Sequence, residues 1–115
     1  TVLPAEDAAT ATIANAASLS GAVQVDGKFV GVGISEAWTA AGLEFQSSVD
    51  NVTFRDVYYA GAKYAVASAG VVASGYVAVD PLVFLGANYI KIRSATTGTP
   101  VNQGAERILA VRISG

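Results

Sequence analysis

Three observations predict an all-β fold: a two-sheet antiparallel sandwich of jelly-roll type, in a single domain. Apolar residues alternate with polar ones over short runs, the period of half-buried strands. Turn pairs such as Asp26-Gly27, Ala60-Gly61 and Ala69-Gly70 separate those runs at close intervals, the punctuation of a sandwich. No stretch repeats apolar residues at helical spacing. A chain of 115 residues suits one domain, long enough to bury a core without metal or disulfide staples.

Residues 1–9 lack periodicity and carry Pro4 and the Glu6-Asp7 pair. They read as an extended arm, either disordered or docked on a neighbour through Val2 and Leu3. The sandwich domain then spans residues 10–115. Residues 10–13 open the first strand, and residues 20–25 form another with Val23 and Val25 on one face. Asp26-Gly27 is a hairpin turn signal. After it, Val30, Val32 and Ile34 share a face, leaving Gly31 and Gly33 where another group can approach closely. Trp38 reads as a plug at one end of the sandwich; the alternative is a sugar-stacking platform.

Residues 42–59 are the clearest hairpin. Leu43 and Phe45 alternate with Glu44 and Gln46; Val52 and Phe54 alternate with Thr53 and Arg55; residues 47–51 form the polar turn. Continued alternation would bury Asp56, so a bulge near Arg55-Asp56 is expected to return Val57 to the core and leave Asp56 in water. Tyr64, Val66 and Ser68 alternate next, and residues 71–79 form a strand with Gly75 as a bulge or close-approach point. Asp80 can cap a helical turn, with Pro81 at its first position, Gly86 at a left-handed exit, and Leu82 or Phe84 pushed inward. Residues 89–93 alternate with Ile90 and Ile92 inward, residues 94–105 read as a polar loop, and residues 107–114 close the fold with Leu109, Val111 and Ile113 on one face. That makes eight or nine strands, the last lying inside a sheet beside a strand distant in sequence. Phe45, Phe54, Ile90, Ile92, Leu109 and Val111 are expected in the core; Glu44, Lys91 and Arg112 point away from it.

Composition narrows function. The sequence contains no His and no Cys, which removes the commonest general base and zinc ligand and all thiolate chemistry. A triad-type nucleophile therefore has no His to activate it. Lys63 and Lys91 are the remaining bases, and both read as surface charges. Asp50, Asp56 and Asp80 lie near turns, unpaired by any spacing that would flank a glycosidic bond; Asp50, Asn51 and Asp56 match no calcium-loop pattern. No catalytic, cofactor or metal residues are assigned. A net charge of −2 lacks the basic stripe that nucleic acid requires and offers nothing to an anionic membrane. No basic segment followed by an apolar one marks the N-terminus, so synthesis in the cytosol without export is expected. Charged residues are 14% and apolar residues 52%, a poor recipe for a free monomer. Part of the surface is expected to be covered in a homo-oligomer. Tyr58 and Tyr59 are adjacent in a strand, so at least one is exposed, suited to protein or to sugar contact.

Several stretches resemble a family of small all-β structural proteins of tailed bacteriophages. They are Phe29-Val30-Gly31-Val32; Ala37-Trp38-Thr39-Ala40-Ala41; Leu43 with Phe45-Gln46; Val52-Thr53-Phe54 with Val57-Tyr58; Asp80-Pro81 with Phe84; Tyr89-Ile90-Lys91-Ile92-Arg93-Ser94; Gly98-Thr99-Pro100-Val101-Asn102-Gln103; and the closing strand. The resemblance covers residues 20–113, and residues 1–19 have no counterpart in it. It carries no catalytic residue. It implies a non-enzymatic virion component that decorates or cements the head or seats a head fibre. Its partners would be the major capsid protein or other virion proteins. The arm, the polar loop and the tyrosine pair are the parts least needed by the core, which makes Val2, Leu3, Tyr58, Tyr59, Thr97, Val101 and Asn102 the candidate contact residues. The alternative is a carbohydrate-binding sandwich module, with a glycan as partner.

Overall fold

The computed structural model describes residues 9–114. Twelve strands are present among them: β1 (Ala9–Ile13), β2 (Val23–Gln24), β3 (Phe29–Gly33), β4 (Gly42–Ser48), β5 (Arg55–Asp56), β6 (Tyr58–Tyr59), β7 (Ala62–Lys63), β8 (Ala65–Val66), β9 (Tyr76–Ala78), β10 (Tyr89–Thr96), β11 (Thr99–Pro100) and β12 (Arg107–Ile113). They form an antiparallel two-sheet sandwich, as the alternation predicts. One sheet runs β1-β12-β3-β9. The other is built on the β4–β10 pair, whose seven-residue register runs from Ser48↔Tyr89 to Gly42↔Ala95. Its flanks are divided. β2 and β11 share the free side of β10, and β5 and β8 share that of β4. β6 and β7 make a separate two-stranded ribbon.

The C-terminal strand lies between β1 and β3, as expected of a terminal strand paired with distant partners. β1 begins at Ala9, one residue into the expected arm, with Ala9 opposite Val111. Residues 1–8, including Val2 and Leu3, fall outside the described residues.

Phe29, Phe45 and Phe84 are fully buried and meet edge to face, with centroids 4.8–5.7 Å apart. Tyr64 joins them, and its hydroxyl accepts the N–H of Asp80 at 2.9 Å. Such pairs add about 0.5–1.5 kcal/mol each beyond area burial. Ile13, Leu43, Ile90, Ile92, Leu109 and Val111 complete the interior. Trp38 is half-buried against this core, and its indole N–H donates to the Ala41 carbonyl at 3.2 Å, which fits the plug.

Some expectations are corrected. Phe54 is half-buried outside the core, because the Asp50 carboxylate accepts the N–H groups of Val52 and Thr53 and holds residues 49–54 as a loop. Val52 is 80% exposed. Arg55 and Asp56 are the returning strand itself, with Asp56 opposite Gln46. The bulge lies in β3 instead. Arg112 pairs with Gly31 and Ile113 with Phe29, so Val30 is the extra residue, and Phe29 and Val32 both face the core. Asp26-Gly27 adopts the positive-φ turn its sequence favours, but it is a corner between sheets, since β2 pairs with β10 and β3 with β12. Only residues 76–78 of the expected 71–79 strand pair in the sheet. Residues 94–105 are partly sheet: β10 continues to Thr96 and turns at Thr97-Gly98, both with positive φ, into β11. Asp80 caps a 3-10 helical turn, accepting from Leu82 N–H at 3.0 Å, and it is Phe84 that points inward while Leu82 is exposed. That turn ends in the right-handed Leu85, and Gly86 is not left-handed.

Candidate functional site

The two outer faces of the sandwich differ in chemistry. On the six-stranded sheet, Glu44, Gln46, Lys91 and Arg93 alternate with core residues, and the β4–β10 register sets Glu44 beside Arg93 and Gln46 beside Lys91. Asp56 comes in on β5 and Lys63 on β7. The result is a closed ring of charge. Lys63 Nζ lies 3.6 Å from both Glu44 Oε1 and Asp56 Oδ2. Arg93 Nη1 lies 3.7 Å from Glu44 Oε1 and 3.5 Å from Asp56 Oδ1. Each cation thus faces both carboxylates, and the ring sums to zero charge.

Glu44 is the surprise of this group. It points away from the core as expected, yet it is only 3% exposed, covered by its ring partners and by β8, whose Ala65 lies opposite it. Its Oε1 makes no hydrogen bond, the Lys63 and Arg93 nitrogens standing just too far away at 3.6 and 3.7 Å. Burial raises the Asp56 carboxyl, and the Gln46 amide, Lys63 and Arg93 together outweigh that and hold it below the usual carboxylate range. A carboxylate so held is no proton donor near neutral pH. The ring instead ties down the β6–β7 ribbon, through Lys63, onto the sheet. That ribbon displays Tyr58 and Tyr59, 64% and 50% exposed. Next to the ring, the Lys91 ammonium sits 4.4 Å from the centroid of the Phe54 ring, a cation–π contact.

The outer face of the four-stranded sheet carries Thr10 and Thr12 of β1, Gly31 and Gly33 of β3, Tyr76 and Ala78 of β9, and Ile108, Ala110 and Arg112 of β12. Arg112 is its one charged residue among the described residues. The face is flat. A Cβ on Gly31 would lie 2.0 Å from the Tyr76 hydroxyl, so the Tyr76 ring lies down across that glycine.

No family model, curated protein or solved structure matches this chain.

The remaining candidates fall into place as follows. Asp50 accepts from Val52 N–H, Thr53 N–H and the Ser48 hydroxyl at 2.9–3.0 Å, which occupies its carboxylate with its own loop. No cluster of three or more potential metal ligands occurs among the described residues. Tyr64, close to Tyr58 and Tyr59 in the sequence, packs against the core instead. Thr97 and Asn102 are exposed, and Val101 is half-buried with its N–H on the Ser94 carbonyl at 2.8 Å. The structure does not bring Tyr58 and Tyr59 into the same strand pairing as Thr97, Val101 and Asn102.

Sequence reasoning missed the charge ring and also Gln103, which is 1% exposed. The Gln103 amide accepts Thr39 N–H at 2.8 Å and donates to Thr39 carbonyl at 3.1 Å, as a strand neighbour would. Its backbone bonds Ala16 and Ala17, and Arg107 Nε donates to its Oε1 at 3.1 Å. One residue, through its side chain and its backbone, thus staples three loops at one end of the sandwich. Alternation could flag Glu44 and Arg93 as outward residues, but only register places them together.

Proposed function

We propose that this chain is a non-enzymatic structural protein of a bacteriophage virion, decorating or cementing the capsid or seating a head fibre. The observation that carries the reading is the division of charge between the two outer faces. Five charged residues stand on the six-stranded face and one on the four-stranded face. A nearly uncharged sheet face with Tyr76 and Ile108 exposed on it is a surface suited to being covered. The opposite face concentrates the charge, most of it paired within the ring. The resemblance to small phage structural proteins points the same way, as does the absence of His and Cys from the sequence. Partners on this reading are the major capsid protein, other virion proteins and further copies of the chain.

Mass spectrometry of purified virions tests the proposal. A high, fixed copy number per particle is the expected result, and absence from the particle would defeat the reading. A second reading, a carbohydrate-binding module, draws on the exposed Tyr58 and Tyr59 beside a polar, charged sheet face, since tyrosine rings supply flat apolar contact next to hydrogen-bonding groups. Glycan-array binding by the isolated domain, lost on changing Tyr58 and Tyr59 to Ser, would promote it.

A further inference from the structure

We infer that the pocket beside Glu44 binds a neutral hydroxylated ligand, the size of one sugar unit, through the Glu44 carboxylate. This rests on the carbohydrate reading above and gives it a site that Tyr58 and Tyr59 do not line. The pocket has a volume of about 310 Å³, at the lower end of the range for small-ligand sites. Its floor is Glu44 and Ala95, outward positions of the β4–β10 pair. One wall is residues 65–68. They pair with β4 at Ala65 and then pass over Gly42, where the Val66 carbonyl and the Ser68 N–H leave no room for a Cβ. The other wall is the tip of the β10–β11 hairpin, residues 96–98.

Glu44 is what points to a ligand. It is 3% exposed, lines the pocket, and is the one charged residue in that lining among the described residues. Its Oε1 is buried without a hydrogen bond. Lys63 and Arg93 offset its charge from 3.6 and 3.7 Å. A buried carboxylate also calls for donors to its lone pairs, and lacking them is unfavourable. A donor seated in the pocket supplies them. The ring decides its kind. Two carboxylates already face two cations, so a third cation at Glu44 would be repelled by Lys63 and Arg93. A neutral O–H donates without that repulsion, and a hydrogen bond to an ionised acceptor is of the stronger class.

The rest of the lining fits a sugar ring, which presents hydroxyls and C–H groups together. Ser68, Thr96 and Thr97 offer hydroxyls; residues 65–67 and Ala95 offer small apolar groups. Thr97 adds a further sign. Its φ is 49°, a conformation that a β-branched residue seldom holds. Asn is the ordinary residue before Gly in such a turn. Strain of this sort gathers at ligand clamps.

The test titrates the isotope-labelled full chain, followed by amide NMR, with methyl glycosides of glucose, galactose, mannose and N-acetylglucosamine to tens of millimolar. Methylammonium chloride is the cationic probe. The expected result is saturable shifts at residues 65–68 and 96–98 with at least one sugar, and none there with methylammonium. Glu44→Gln should weaken binding about tenfold, because the acceptor loses its charge. That change also unbalances the ring, so Thr97→Gly is the second variant. Glycine holds a positive φ without strain, which keeps the hairpin while removing one hydroxyl, and binding should fall about fivefold. Affinity unchanged in both variants would overturn the inference. So would methylammonium shifting the pocket amides as strongly as the sugars or in their place. Sugar-induced shifts confined to Tyr58, Tyr59 and their neighbours would overturn the pocket and leave the carbohydrate reading standing. No shift with any probe would overturn the inference, with the glycan array judging the carbohydrate reading separately.

Discussion

Phe45 and Phe54 show how much a single side chain's surroundings decide. Both sit on alternating apolar positions of the same hairpin sequence. Phe45 lies at the junction of three other aromatic rings, whereas Phe54 lies on the outer face under Lys91. Phe45→Ala should cost about 3–5 kcal/mol, the scale for emptying a core ring site. Phe54→Ala should cost about 1–2 kcal/mol, from partial ring burial and one cation–π contact. Chemical denaturation of the two variants measures the difference, and equal losses would mean the hairpin is seated otherwise. Glycines divide in the same way. A Cβ on Gly31 meets the end of an exposed tyrosine that can swing aside. A Cβ on Gly42 meets the Val66 carbonyl at 2.2 Å, with the Ala95 carbonyl and Ser68 N–H close behind. Those are backbone atoms of flanking segments, so Gly42→Ala should destabilise by about 1–3 kcal/mol or more, while Gly31→Ala is tolerated with Tyr76 displaced. Thermal melts of both check this.

At the scale of elements, short strands are held by specific side-chain contacts. The loop from Ser48 to Thr53 is closed on the Asp50 carboxylate, and backbone N–H bonds from Thr53 and Val52, with the Ser48 hydroxyl, hold its carboxyl below the ordinary value of 3.8. Asp56 is lowered as well. A folded-state value below the unfolded one means that the unfolded chain binds more protons in that window. The stabilisation is therefore fully present above about pH 4 and lost as pH falls through the lowered values. Melting temperature should drop on acidification below about pH 4, and Asp50→Asn should flatten part of that drop. A melting profile equally steep in the variant would remove Asp50 from the account. The charge ring makes a different prediction. Solvent screens the Lys63–Asp56 pair, but Glu44 is buried and would keep Arg93 as its remaining cation in the ring, so Lys63→Ala should cost about 1–3 kcal/mol. Its clearer effect should be faster amide exchange in β6 and β7, because the ribbon loses its anchor to the sheet.

The whole molecule is closed by its two ends. β1 pairs with β12 through five residue pairs, and β12 is interior to its sheet. Ending the chain before Arg107 should therefore abolish the native fold, because β1 and β3 lose their common partner and Leu109 and Val111 leave the core. Removing residues 1–8 should leave the circular dichroism of the sandwich intact, since the five described pairs of β1 with β12 lie within residues 9–13. On the proposed function the same truncation should weaken self-association or shell binding through loss of Val2 and Leu3, which sedimentation with and without the segment will show. Pairing of distant segments also predicts slow folding, in milliseconds to seconds, measurable by stopped-flow fluorescence of Trp38.

The class of fold was legible in the sequence because alternation records which face of a strand is buried, whatever its partner. Leu43 with Phe45, Ile90 with Ile92, and Leu109 with Val111 declare themselves in this way. So do the turn at Ala60-Gly61 and the Asp80 cap, whose chemistry is local. What alternation does not encode is pairing. The sequence of Asp26-Gly27 specifies a turn, and tertiary structure made it a corner by drawing β2 to β10. Glu44, Asp56, Lys63 and Arg93 are unremarkable outward residues until the β4–β10 register and the β6–β7 ribbon bring them within 4 Å of one another. The bulge at Val30 shifted β3 by one residue and placed Gly31 under Tyr76, on an outer face that no single strand describes. Side-chain periodicity is a property of one strand; register, and with it every surface that can meet a partner, is a property of two.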